Sequence, residues 1–255
     1  MEETSQGGTS LIPKTPQPEL SAGASELRRM LEVVENEILP KTAVQVAAGN
    51  KFFGAAVLDS DFNTVVADTN RETECPLYHG EIYTIQQWAA VTEKPPVQGK
   101  ANRCLYVIAY RQAIHSQVSC SDTHVRVRTL FSASIFLSTH EPCCMCISAI
   151  VWSGFRRCFY LYPYETTRDE HGIPHDLDIM YELWRVRRYS RRNSFCATAG
   201  LLELVQALPR GDRGQVAERA ELLATVARIT RKYEELAPKY HSEKSSNPKN
   251  TMAFN

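Results

Sequence analysis

His79-Gly80-Glu81 and Pro142-Cys143-Cys144-Met145-Cys146 are the two stretches of this chain whose residue types and spacing can do chemistry. One imidazole and two thiols make a three-ligand set for a metal ion, and Glu81 is left over as a free carboxylate. Cys143 and Cys146 stand three apart, which places them on one face of a helix where both reach one ion. Thiolate and imidazole ligands suit zinc, and three protein ligands leave its fourth position for water. Zinc brings the pKa of such a water near 7, and Glu81 is the base to take its proton. Cys144 is turned away by about 100° on a helix and falls outside the set.

P-C-x-x-C alone also fits a structural zinc knuckle or a redox pair. Its combination with an upstream H-x-E, each half at an expected helix start, is what points to catalysis. The chemistry implied is hydrolytic. Hydroxide attacks an amine-bearing ring carbon, Glu81 passes protons to the ring nitrogen and the leaving amine, and ammonia departs.

Positioning these groups requires two helix starts and a frame to hold them. Residues 79–91 read as a helix with Ile82, Ile85 and Ala89 on one face. Residues 142–153 read as a buried helix with Pro142 at its first position, where the helix dipole favours the thiolates. Residues 134–139 and 158–162 flank that helix as strands, parallel because a helical crossover joins them. Residues 52–58 and 64–67 form an expected hairpin across the turn at 59–63. Upstream, Ser25 caps a helix carrying Leu27, Met30, Leu31, Val34 and Ile38; Pro40 interrupts it, and a second apolar stretch stops at Gly49-Asn50. Downstream, residues 176–186 form a helix after Pro174, and residues 215–236 a long charged helix with one apolar stripe. The series implies an α/β layered domain with a mixed sheet. Residues 93–130 read as an insertion between core elements. The expected division is a zinc domain at 25–190, a helical extension at 191–240, and disordered polar tails at 1–24 and 241–255.

Bulk properties narrow the function. Among 255 residues, 29 Lys and Arg balance 29 Asp and Glu, so no whole-molecule field for nucleic acid exists, although a local patch stays open. No apolar run is long enough to span a bilayer, and the N-terminus carries neither a signal core nor an Arg-rich transit pattern. A cytoplasmic location is expected, with the nucleus as the alternative. Eight cysteines, three of them crowded at 143–146, suit metal binding better than a disulfide framework.

On these motifs the chain resembles the zinc-dependent cytidine, cytosine, guanine and tRNA-adenosine deaminase superfamily over residues 50–190. Phe53-Gly54-Ala55 is similar to the family's first strand. Asn70 resembles the asparagine that contacts the target base. His79-Gly80-Glu81-Ile82 is similar to the H-G-E-I of fungal-type cytosine deaminases, whereas Thr139, Glu141, Pro142, Cys143, Met145 and Cys146 resemble the T-x-E-P-C-x-M-C of the guanine and tRNA-adenosine branch. The two halves therefore point to different branches. The resemblance implies a three-layer cytidine-deaminase-like fold, a mixed central sheet with helices on both faces, a zinc ion and a homodimer. The chain departs from the family in the 64 positions between His79 and Cys143, about twice the usual separation. The 93–130 insertion accounts for the excess.

Several residues have two readings. His175 or Asp176 touches the substrate, or Asp176 caps a helix and His175 lies on the surface. His140 lines the pocket or supports the zinc helix from behind. Phe52 or Trp152 walls the base pocket or packs in the core. Arg185, Arg187, Arg188, Arg191 and Arg192, with Tyr189 among them, form a phosphate-binding patch for tRNA or a solvated helix end; zero net charge favours the latter. The helix at 215–236 packs or dimerises. The reading that follows is a zinc deaminase of a nucleobase or nucleoside, of guanine, cytosine or a related aminated ring. A tRNA adenosine deaminase is the second reading and a non-catalytic zinc-binding regulatory subunit the third.

Overall fold

The computed structural model describes residues 20–93 and 134–247. Residues 1–19 and 248–255, and the expected insertion from residue 94 onward, lie outside the described residues. The elements run in the order α1 (Ala24–Val33), a π turn (Val34–Ile38), α2 (Leu39–Ala47), β1 (Gly54–Leu58), β2 (Thr64–Thr69), α3 (Gly80–Glu93), β3 (Ile135–His140), α4 (Cys144–Trp152), β4 (Arg157–Tyr162), α5 (Tyr164–Asp169), α6 (His175–Trp184), β5 (Ala197–Gly200), α7 (Leu201–Ala207) and α8 (Arg213–Ser246).

Five strands form one mixed sheet in the order β2-β1-β3-β4-β5. β1 pairs antiparallel with both β2 and β3, while β3, β4 and β5 are parallel. The parallel pairing of β3 and β4 follows from the α4 crossover, as expected from the sequence. Side chains of the central strands alternate between two cores. Ala56, Leu58, Ile135, Leu137, Phe159 and Leu161 enter one core, shared with α1, α2, α7 and α8. Ala55, Val57, Phe136 and Cys158 enter the other, with Trp88 of α3 and Ile150 of α4. Both faces are covered, which is why the central strands read as unbroken apolar runs. The arrangement is a three-layer α/β fold.

Several elements differ from the sequence reading. Pro40 does not break the first helix. The wider π turn immediately before it absorbs the missing N–H, and α1 runs through into α2. Leu20 is already buried in the core, ahead of the expected start of order. α5 is a short helix inside a stretch that shows no helical period. β5 joins the sheet beyond residue 190, so the sheet continues into the stretch assigned to a helical extension. α8 continues past residue 236 and through Pro238 to Ser246, because Leu236, Ala237 and Tyr240 stay buried and hold the last turns on the core. Leu222, Val226, Ile229 and Tyr233 form the rest of that stripe, so the long helix is a packing element.

Candidate metal centre

α3 starts where the chain leaves β2 and turns back toward β1. The Asn70 backbone N–H donates to Phe53 O, and its side-chain Oδ1 accepts the N–H of Gly80 at the head of α3. His79 and Glu81 thereby flank a pinned helix start. Gly80 is required here by contact, since a Cβ would lie 2.8 Å from Gly54 Cα and 3.0 Å from Phe53 O. The glycine that suggested one substrate branch is thus demanded by backbone packing.

α4 delivers the thiols. Cys143 is extended (φ −63°, ψ 171°) and acts as the N-cap, its Sγ accepting the N–H of Cys146. Pro142 therefore precedes the cap and is not the first helical residue as expected. The sulfur takes the capping role that a hydroxyl or carboxylate oxygen usually fills, satisfying an open N–H of the first turn.

His79 Nδ1 lies 3.7 Å from Cys143 Sγ and 3.6 Å from Cys146 Sγ. Tetrahedral zinc with ordinary Zn–N and Zn–S bonds has N···S edges of roughly 3.5 Å, close to both of these separations. All three ligand atoms lie within 4.8 Å of one another, and theirs is the metal-capable cluster found among the described residues. Cys144 stays outside it.

The electrostatics agree. Hydrogen bonding to Cys146, together with the adjacent His79, holds the Cys143 thiol well below its usual range. Burial pushes Cys146 up, and the Cys143 charge beside it adds to the rise. Burial opposes a charge on His79, but the hydrogen bond and charge of Cys143 outweigh it and raise the imidazole to about 9. Glu81 is buried, accepts from Ser138 Oγ at 3.2 Å, and has its second oxygen 3.4 Å from Cys146 Sγ. Burial and the Cys143 charge raise its carboxyl to about 7. Asp176, near the start of α6, is raised to about 7 by burial and by the same thiolate.

Asn70 is fully buried, and its Nδ2 has no hydrogen-bond partner among the described residues. A buried amide donor without an acceptor is costly, and a ligand acceptor removes that cost. Other expected contacts sit elsewhere. His140 is enclosed by Phe52, Phe53, Tyr162 and Tyr233, its Nδ1 paired with Thr139 Oγ1 (3.0 Å) and its Nε2 with His171 Nδ1 (3.1 Å). Both of its ring nitrogens are used within the protein. Phe52 packs against His140, His171 and Tyr240 and belongs to that aromatic interior. Trp152 is 89% exposed at the end of α4 and walls nothing among the described residues. His175 opens α6 and is part-buried, its pKa lowered by burial and by Lys51 and Lys244.

The arginine cluster resolves into something neither sequence reading contained. Arg191 grips the Glu141 carboxylate with Nε at 3.1 Å and Nη2 at 3.2 Å, and Arg188 adds Nη2 at 3.3 Å. The Tyr164 N–H donates to the same carboxylate, and the Tyr164 hydroxyl donates to Pro142 O. Glu141 is therefore a buried anchor for the turn that presents Cys143. Tyr189 lies edge-on to Tyr164 and is not a free stacking surface. The sequence reading also missed Glu72 and Lys51. The Lys51 N–H donates to Glu72 Oε2 (2.9 Å), Lys51 Nζ lies 3.2 Å from Oε1, and His79 Nε2 lies 3.9 Å from Oε1. Only the unusual burial of a Lys and a Glu gives them away, and burial is not written in local sequence.

Comparison with known proteins supports the same assignment. Residues 36–162 match the model of the cytidine and deoxycytidylate deaminase zinc-binding region. No curated protein matches the chain. Among solved structures, a guanine deaminase from Nitrosomonas europaea is 17% identical, covering 89% of this chain and 98% of its own, with a TM-score of 0.38. A structure from studies of A-to-I editing by tRNA:A34 deaminases at the wobble position is 15% identical, covering 72% and 94%, with a TM-score of 0.37. At these scores the likenesses carry no argument about substrate. The family match, joined to a His79–Cys143–Cys146 set at zinc spacing, identifies residues 36–162 of this chain as a cytidine and deoxycytidylate deaminase zinc-binding region.

Proposed function

We propose that the protein is a zinc-dependent hydrolytic deaminase that removes the exocyclic amine of a nucleobase or nucleoside, of guanine, cytosine or a related aminated ring. The observation that carries this reading is Glu81, a buried carboxyl beside the metal ligands, outside their set, and raised to about 7. A structural zinc site has no use for such a group. When bound, zinc acts as a Lewis acid that brings the pKa of a water near 7. Glu81 accepts a proton from the attacking water, whose oxygen bonds to the amine-bearing ring carbon. Glu81 gives that proton to the ring nitrogen, then carries the remaining hydroxyl proton of the tetrahedral adduct to the amine; the C–N bond breaks, a carbonyl forms and ammonia leaves. The Ser138 hydroxyl holds one Glu81 oxygen, so the other is the one that works on the proton. Asn70 Nδ2 donates to an acceptor of the base, and His175 and Asp176 contact the substrate from the start of α6.

A small substrate is favoured over tRNA because the arginines that would track a nucleic-acid backbone are partly spent on Glu141. A cytoplasmic homodimer completes the reading. Exposed Trp152, Leu183 and Trp184 support a further interface, and light scattering at several concentrations tests it. Among the described residues no helix is long and apolar enough to cross a membrane.

The test is ammonia release from a panel of aminated bases, nucleosides, nucleotides and tRNA. Glu81→Gln is expected to lower turnover about 10²–10⁴-fold with zinc content unchanged. Wild-type turnover in that variant refutes the catalytic assignment, and absence of stoichiometric zinc from the purified protein refutes the site. tRNA binding that weakens steeply with added salt moves the reading to the second alternative.

A further inference from the structure

We infer that Glu72, clamped by Lys51, is the positioning residue that sets the orientation and donor strength of His79 in the metal centre. The inference rests on the zinc reading above and adds a residue to it. The His79 ring has one nitrogen, Nδ1, aimed at the two sulfurs at 3.6 and 3.7 Å. Its other nitrogen, Nε2, is left facing Glu72 Oε1 at 3.9 Å. That oxygen is buried and has no hydrogen-bond partner among the described residues. Glu72 is 3% exposed, so its charge is turned inward, toward Lys51 and His79, and not to solvent.

The carboxylate is itself fixed. Its Oε2 accepts the Lys51 N–H at 2.9 Å, and the nearly buried Lys51 ammonium sits 3.2 Å from Oε1. The two loops that carry the pair are joined next door, where Asn50 Oδ1 accepts the Thr73 N–H at 2.8 Å. Asn50 in turn donates to the Gln45 side chain at the end of α2. The acceptor that meets the imidazole is therefore anchored to the helical layer. A metal on Nδ1 requires the proton to sit on Nε2, and a carboxylate facing Nε2 selects that tautomer and strengthens the ligand. Lys51 holds the carboxylate in place, so Glu72 faces the ring from a fixed position.

Two measurements test this. In the zinc-loaded wild-type protein, 15N imidazole spectra are expected to show His79 metal-bound at Nδ1 and protonated at Nε2, with a downfield, exchange-protected proton. An unprotonated or freely exchanging Nε2 overturns the inference whatever the variants do. In Glu72→Gln and Glu72→Ala, zinc affinity by competition with a chromogenic chelator is expected to fall about 10–100-fold, and the Nε2 proton to move upfield. Folded variants with wild-type zinc affinity overturn it as well. Failure of wild-type protein to bind zinc refutes the metal reading itself, which separates the two outcomes.

Discussion

Asn70 uses one end of its amide within the protein, and the base contact proposed for the other end can be tested at the level of one atom. Oδ1 holds the Gly80 N–H at the head of α3, while Nδ2 is buried without a partner. Asn70→Asp keeps the first acceptor and replaces the second group with another acceptor. Zinc content and fold are expected to survive, while kcat/KM falls about 10–100-fold, the worth of a buried donor lost from a substrate. An unchanged kcat/KM would remove Asn70 from the base contacts. The proposed metal ligands, Glu81 and Asn70 could be named from the sequence, by motif spacing and family resemblance. Glu72 and Lys51 were not, because a lone Glu and a lone Lys acquire meaning only from the imidazole placed beside them.

Helix starts carry the site, and each is held by a feature that local pattern obscures. α3 begins against the backbone of β1, where Gly80 meets Gly54. Gly80→Ala is expected to destabilise the fold by about 1–3 kcal/mol, since backbone must move to admit the methyl group. The urea midpoint checks it, and an unchanged midpoint means the helix start can shift freely. α4 begins at a turn held by Glu141. Its carboxylate has no exposed surface and is shared between Arg188 and Arg191. Glu141→Ala strands these guanidinium groups and is expected to cost about 3 kcal/mol or more by denaturant unfolding. Wild-type stability in that variant would mean the anchor is dispensable. Sequence periodicity located both helices to within a few residues. It misplaced Pro142 because the N-cap here is a sulfur, which capping preferences do not anticipate.

At the scale of the molecule, α8 closes one face of the sheet and meets the loop between α5 and α6 through its aromatic residues. His140 and His171 lie at that junction, hydrogen-bonded to each other, with His241 of α8 on the His171 carbonyl. Burial lowers His171 to about 4 and holds His140 well below its usual range, the neighbouring imidazoles adding to both shifts. Both are neutral in the fold. Above about pH 6.5 the unfolded chain is neutral too and nothing is lost. As pH falls from 6.5 toward 4 the unfolded state binds protons that the fold refuses, and stability drops, by on the order of 3 kcal/mol for His171 alone. Urea midpoints at pH 7, 5.5 and 4 measure this, and His171→Gln is expected to flatten the dependence. An equal slope in that variant assigns the loss to other groups.

By itself the sequence picked out the three residues that the structure brings together as a metal-capable cluster, the carboxylate beside them, the reaction class and the α/β frame. Those follow from residue type and from periods of two and 3.6, which are local quantities. Tertiary structure decided what each ambiguous side chain does, because burial and partnership depend on distant segments. It turned Arg188 and Arg191 from a surface cluster into the clamp on Glu141. It drew His140 and Phe52 into an aromatic interior. It set Glu72 behind His79, and it made Gly80 a matter of backbone contact with Gly54.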